Sequence, residues 1–233
     1  MNPTREVKME ALVNGVKLHY EVYGSGRPVI LLGGNMKNTS YLTFMRKKLE
    51  EDYKVYVVDR RGSGKSTSDC KLSYGETVKD ISEFIDVLNI ERPFILGHSG
   101  GGTVALLLAM KRSAALSGVI VCSGVARASL VKKPGYATIM EKLPWYPGKA
   151  SNEKFEKLMR DTADITDEDL ARITCPVLVV NGDKDPIVSV EEAKYIADAI
   201  QNSRLLVLSG ENHASYMIKI QWEDDLQTFL KAH

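Results

Sequence analysis

The chain of 233 residues suits one α/β domain, and 44% hydrophobic residues are ample for a single large core. Its 31 basic and 30 acidic residues leave a net charge of +1 with no run of five like charges. That argues against a nucleic acid or an anionic membrane as partner and points to a small molecule. Cys70, Cys122 and Cys175 are too few and too irregularly spaced for a disulfide framework or a zinc site. Met1 to Glu10 lacks the apolar region of a signal peptide and no stretch approaches the ~20 apolar residues of a membrane span, so a soluble, cytoplasmic protein is expected.

Met9 to Val13 and Val16 to Tyr23, joined by Asn14-Gly15, read as a hairpin, because Asn-Gly accepts the positive φ that a two-residue turn requires. Pro28 to Leu32 is apolar throughout, as in a strand buried on both faces. Gly33-Gly34-Asn35 follows, then a helix from about Ser40 to Glu51 and a strand, Lys54 to Val58. The next turn, Asp59 to Ser66, imitates the end of a phosphate-binding loop in its Gly64-Lys65-Ser66. That motif needs a glycine five positions before Gly64, where Asp59 stands, so no nucleotide site is read here.

Thr77 to Leu88 places Val78, Ile81, Phe84, Ile85 and Leu88 on one helix face. Strands follow at Pro93 to Leu96 and Leu116 to Cys122, with a helix from Thr103 to Met110 between them. This alternation predicts a parallel sheet with right-handed crossovers. It stops over residues 125–173, which are richer in Lys and Arg and carry Pro134, Pro144 and Pro147. Helices are expected at Tyr136 to Lys142, Asn152 to Asp161 and Thr166 to Ala171. We read 125–173 as a small helical cap on a core made of 1–124 and 174–233, since insertions of this length are uncommon unless functional. Alternation then resumes with a strand Pro176 to Val180, a helix Val190 to Ile200, a strand Arg204 to Leu208 and a helix Gln221 to Leu230.

The chemistry centres on Gly97-His98-Ser99-Gly100-Gly101, a sharp turn between strand and helix that lifts Ser99 to the carboxyl edge of the sheet. The N–H of Gly100, at the positive end of the following helix, faces the same crevice. A serine hydroxyl needs a base, itself oriented by an acid. Of the four histidines, His19 alternates within the hairpin and is expected at the surface or an edge. His98 lies inside the turn, where it packs or hydrogen-bonds locally, and His233 ends the chain; His213 remains as the base. The acid comes from Asp183 or Asp185 in the loop after Pro176 to Val180. Asp185 is preferred, because Asp183 directly follows Gly182, where a turn-forming role explains it.

The hairpin, Arg61-Gly62-Ser63-Gly64, the Gly97 to Gly101 turn, the Gly182 to Asp185 loop and the His213 loop, in the chain order Ser99, Asp185, His213, together resemble the α/β-hydrolase fold superfamily. The lineage is that of small capped serine esterases, carbon–carbon bond hydrolases and cofactor-free haloperoxidases. The resemblance implies a mostly parallel eight-stranded sheet with helices on both faces, and hydrolysis of an ester or related acyl compound by Ser99, Asp185 and His213. It implies no metal and no organic cofactor. It carries over the backbone N–H of Asn35 as partner to that of Gly100 in an oxyanion hole, although Gly33 stands where the family has histidine. The Asn35 side chain is a further donor toward the site, and Tyr136, Trp145 and Tyr146 of the cap are candidates for lining an apolar acyl pocket. Carbon–carbon cleavage, perhydrolysis and a ligand-binding receptor on the same fold stand as alternatives.

Overall fold

The computed structural model describes residues 7–35, 39–127, 157–158, 164–219 and 221–233. Eight strands form one sheet: β1 (Val7–Val13), β2 (Val16–Tyr23), β3 (Arg27–Leu32), β4 (Tyr53–Val58), β5 (Phe94–His98), β6 (Gly118–Cys122), β7 (Val177–Gly182) and β8 (Ser203–Leu208). Their order across the sheet is β1-β2-β4-β3-β5-β6-β7-β8. Strand β2 pairs antiparallel with β1 and β4, and every later pairing is parallel. The hairpin closes at Val13↔Val16 over Asn14 and Gly15, whose φ values are 45° and 74°.

Within the parallel part, side chains alternate between two cores. Ile30, Ile95, Val177 and Val179 face one core, and Val29, Leu31, Phe94, Leu96, Leu178 and Val180 face the other. On the first face lie α2 (Tyr74–Val87), α3 (Gly100–Arg112), α4 (Asp167–Leu170) and α5 (Val190–Ala199). On the second lie α1 (Thr43–Leu49), α6 (Ser215–Lys219) and α7 (Glu223–Ala232), with Tyr216, Trp222 and Leu230 almost wholly buried.

Several boundaries differ from the sequence expectation. Helix α2 starts at Tyr74, one turn before Thr77, because Ser73 caps it and accepts the Glu76 N–H at 3.1 Å. Helix α3 starts at Gly100, since Gly100, Gly101 and Gly102 are helical although three glycines read as loop. The helix expected from Ser40 is a 3₁₀ turn, Ser40–Leu42, followed by α1. His19, expected at the surface or an edge, is buried where the turn after β4 meets β2: its N–H donates to Ser66 Oγ at 2.8 Å and its carbonyl accepts Asp59 N–H at 3.0 Å.

Most of the expected cap, including Tyr136 to Lys142, lies outside the described residues; Lys157 and Leu158 are helical. The described ends of 125–173 are fastened to the core. Ile165 N–H donates to Ala126 O at 2.9 Å, the N–H groups of Ala126 and Arg127 both donate to Glu192 Oε1 at 2.8 Å, and Arg127 pairs with Glu192 Oε2 at 2.7 Å. Thr166 and Asp169 cap α4 reciprocally, as the Thr-x-x-Asp spacing predicts.

The turn after β4 is tied to the rest by a buried ion pair. Arg61 donates from Nε and Nη2 to the two oxygens of Asp80, each at 2.6 Å, and from Nη1 to Lys71 O at 2.9 Å. Asn14 Nδ2 donates to Asp80 Oδ1 at 2.9 Å, so hairpin, turn and α2 converge on one carboxylate. Replacing Arg61 with Met leaves that carboxylate buried without its cation. Urea denaturation is expected to show a loss of about 3–5 kcal/mol, and a loss below about 1 kcal/mol would mean that the pair is not what holds these segments together.

Candidate active site

Register brings the carboxyl ends of the parallel strands to one rim. Leu32 lies opposite Val58 and Gly97, His98 opposite Cys122, Cys122 opposite Val180, and Gly182 opposite Leu208. The segments that follow these ends, Gly33 to Asn35, Asp59-Arg60, Ser99, Ser123, Asp185 and His213, are therefore neighbours despite their separation in the chain.

Ser99 adopts φ 54°, ψ −121°, which costs of order 1–3 kcal/mol for a residue with a Cβ. The surroundings enforce it. A Cβ on Gly97 would stand 2.2 Å from Gly101 O, and one on Gly101 would stand 2.3 Å from Leu32 O, so the turn closes only with glycine at both places. Ser99 N–H donates to Cys122 O at 2.7 Å, which pins the elbow to β6.

Asp185 and His213 are brought together. His213 Nδ1 and Asp185 Oδ2 are 2.8 Å apart, with both side chains nearly inaccessible. Because the carboxylate only accepts, Nδ1 carries the proton and Nε2 is the basic nitrogen. Oδ1 of Asp185 accepts the N–H groups of Ile187 and Val188 at 2.8 and 3.0 Å, while Oδ2 also accepts the Ser123 hydroxyl at 2.8 Å. Ser123 has spent its proton on Asp185, so the 2.6 Å contact with Tyr216 is a donation from the phenol. Burial pushes the Asp185 carboxyl up, but His213 and the backbone N–H donors outweigh it and hold it below the usual carboxylate value. Asp183 takes a different part: it accepts Gly210 N–H at 2.7 Å and joins the loops after β7 and β8.

His98 reaches far beyond its own turn, contrary to the local role expected of it. Its Nε2–H donates to His213 O at 2.7 Å. In the neutral ring Nδ1 then accepts the Tyr41 hydroxyl at 2.9 Å, and the Tyr41 oxygen accepts Gly34 N–H at 2.7 Å. One strap thus joins the loop after β3 to the backbone of His213. The rings of His98 and His213 lie 5.0 Å apart, which sets His213 beside the elbow. No hydrogen bond joins Ser99 Oγ to His213 in this structure.

The Asn35 side chain is tied sideways. Its Nδ2 donates to Tyr74 OH at 2.7 Å and its Oδ1 accepts Arg60 Nη2 at 3.2 Å. Among the described residues the N–H groups of Asn35 and Gly100 form no hydrogen bond. Tyr136, Trp145 and Tyr146 lie outside the described residues. Among those residues no group of three or more His, Cys, Asp or Glu could hold a metal ion, and no helix is long and apolar enough to cross a membrane.

A model of the Alpha/beta hydrolase family matches residues 29–219, from β3 to the end of α6. The chain belongs to this family. Serine hydrolase BPHL of Homo sapiens is 26% identical over 236 residues, spanning 90% of this chain and 81% of that protein. N-formylmaleamate deformylase of Pseudomonas putida is 32% identical over 136 residues, 57% of this chain and 49% of that protein. The enol-lactonase from Burkholderia xenovorans LB400 superposes with a TM-score of 0.78 at 20% identity, covering 96% of this chain and 100% of that one, which is a likeness of fold. The alpha/beta hydrolase sheet accounts for the hairpin on one flank and the parallel strands beside it.

Sequence reasoning passed over Tyr41, Ser123, Tyr216, Arg60 and Tyr74. The only signal for Ser123 is a hydroxyl directly after the apolar strand that ends at Cys122. Tyr41→Phe leaves the buried Gly34 N–H and His98 Nδ1 without partners, an expected loss of about 1–3 kcal/mol in urea denaturation; an unchanged midpoint would show the strap to be idle. The lowered Asp185 carboxyl stabilises the fold above its unfolded pKa, about 3.9, and that contribution disappears as pH falls through the folded value. Asp185→Asn should therefore flatten the acid limb of stability against pH, and superimposable limbs would contradict the assignment.

Proposed function

We propose that the chain is a serine hydrolase that cleaves a small or medium carboxylic ester, or a related acyl compound, through Ser99, His213 and Asp185. The observation that carries the reading is the hydrogen bond of 2.8 Å between His213 Nδ1 and a carboxylate that accepts three other donors, at the rim where Ser99 stands at φ 54°. Hydrolysis as such follows from family membership.

In this mechanism His213 Nε2 takes the Ser99 proton as Oγ attacks the carbonyl carbon. Asp185 holds the imidazole in the required tautomer and stabilises the imidazolium that forms. The carbonyl oxygen becomes an oxyanion in front of the Asn35 and Gly100 N–H groups. Collapse of the tetrahedral intermediate expels the alcohol, which takes the proton from His213 and leaves Ser99 acylated. His213 then deprotonates water, the hydroxide attacks the acyl carbon, and the released carboxylate leaves Ser99 with its proton restored. His213 and Ser99 end as they began and the second proton of water leaves with the acid product, so the cycle calls for no cofactor. Tyr136, Trp145 and Tyr146 are assigned to the apolar part of the acyl pocket on their sequence character.

The relatives fit this chemistry. One is itself a serine hydrolase, and deformylation, the activity in the other's name, is acyl transfer to water. Ser99→Ala is expected to abolish labelling by a fluorophosphonate and to lower turnover of p-nitrophenyl esters by about 10⁴-fold or more, with His213→Ala similar in turnover. Labelling or hydrolysis that survives Ser99→Ala removes Ser99 from the nucleophile role.

A further inference from the structure

Arg60 and Arg61 are adjacent and both buried, at 5% and 7% exposure, yet among the described residues only Arg61 has a counter-charge. Arg61 is locked bidentately on Asp80. Elsewhere Arg127 pairs with Glu192 and Arg112 with Asp86. Among the described residues no carboxylate comes within ion-pair distance of Arg60, and its single hydrogen bond is the 3.2 Å donation to the neutral Asn35 Oδ1. Its neighbour Asp59 is engaged with Thr39 and the Lys65 N–H.

An unpaired buried cation is expensive by several kcal/mol. Burial accordingly pushes the guanidinium pKa down, opposed in part by the nearby Tyr74 and Tyr41 hydroxyls. No described residue supplies the anion, which leaves the position open to a ligand that does. Its place defines that anion. Arg60 holds Asn35, and the Asn35 amide lies over the residue after the nucleophile: a Cβ on Gly100 would stand 2.0 Å from Asn35 Oδ1. Arg60, Asn35 and Tyr74, with Ser73, Thr77 and Leu158, also line a cavity of about 20 Å³, which has room for about one water or one carboxylate oxygen.

We propose that Arg60 is the recognition site for a carboxylate carried by the substrate, so that the preferred substrates are monoesters or related monoacyl derivatives of short dicarboxylic acids. This rests on the serine hydrolase reading above and adds to it which acyl groups are selected. The free carboxylate of the acyl group pairs with the Arg60 guanidinium, while the Asn35 and Gly100 N–H groups receive the oxyanion at the other end. A guanidinium suits this task because its charge strengthens the hydrogen bond it donates to a carboxylate oxygen.

Matched p-nitrophenyl esters test it: the hemisuccinate against the butyrate and the hemiglutarate against the valerate, which differ in a terminal carboxylate or methyl. The wild type is expected to favour the acidic member of each pair in kcat/KM by about tenfold or more, chiefly through KM, with glutarate a competitive inhibitor. Arg60→Gln should erase most of that ratio and Arg60→Lys retain part of it. Preference for the neutral esters, or a ratio that Arg60→Gln leaves unchanged, overturns the proposal. If Arg60→Gln does not fold, the wild-type ratio and the glutarate competition decide it. A second readout needs no turnover: glutarate should raise the melting temperature of Ser99→Ala, and no rise, or an equal rise in Ser99→Ala/Arg60→Gln, counts against the site. Loss of ester turnover with glutarate binding intact would instead be a failure of the hydrolase reading.

Discussion

Strand β5 and helix α3 meet at a turn with no room for side chains on its inner surface. The Gly101 carbonyl occupies the space where Gly97 would carry a Cβ, and the Leu32 carbonyl occupies the corresponding space at Gly101. This steric closure forces Ser99 into a left-handed backbone conformation that packing must sustain. The same closure sets the first turn of α3 against the loop after β3, which brings Gly100 against the Asn35 side chain. Were the turn looser, the serine would relax. The rest of the site is arranged around this rigid corner.

Support for the corner comes from polar side chains buried along the rim, each with its protons accounted for. Tyr216 donates to Ser123, Ser123 to Asp185, and His213 to Asp185 from Nδ1. On the other side Gly34 donates to Tyr41, Tyr41 to His98, and His98 to the His213 carbonyl. His213 is thus held by its ring from one direction and by its backbone from another. A network of this kind is stable only when every member is satisfied, since an unpaired group in a low-dielectric interior costs as much as the bond contributes. Arg60 stands apart: among the described residues its hydrogen-bond partner is the neutral Asn35 amide, and no carboxylate lies within ion-pair distance.

Where the sequence carried local chemistry, it was legible. Asn14-Gly15 announced the hairpin, the apolar period of Val78 to Leu88 announced α2, and the continuous apolar strands announced a sheet covered on both faces. The turn-forming character of Asp183 separated it from Asp185, and the two residues do take different partners. Helix starts were read less well. The Ser73 cap lay one turn upstream of the obvious apolar period, and the glycines at 100–102 favour a loop by propensity but are helical because nothing larger fits against β3 and β6.

Residue types, spacings and turn signals by themselves determined the fold class, the strand sequence and the short set of residues able to do chemistry, because each of these depends on neighbours within a few positions along the chain. Only the tertiary structure decided that His98 supports His213 across 115 residues, that Ser123 serves Asp185, that His19 is buried beside Ser66, and that among the described residues Arg61 has a carboxylate while Arg60 has none. Those outcomes depend on strand order and register, which bring distant segments to one rim. A hydroxyl, an imidazole or a guanidinium has no local pattern by which its partner, or the lack of one, can be read.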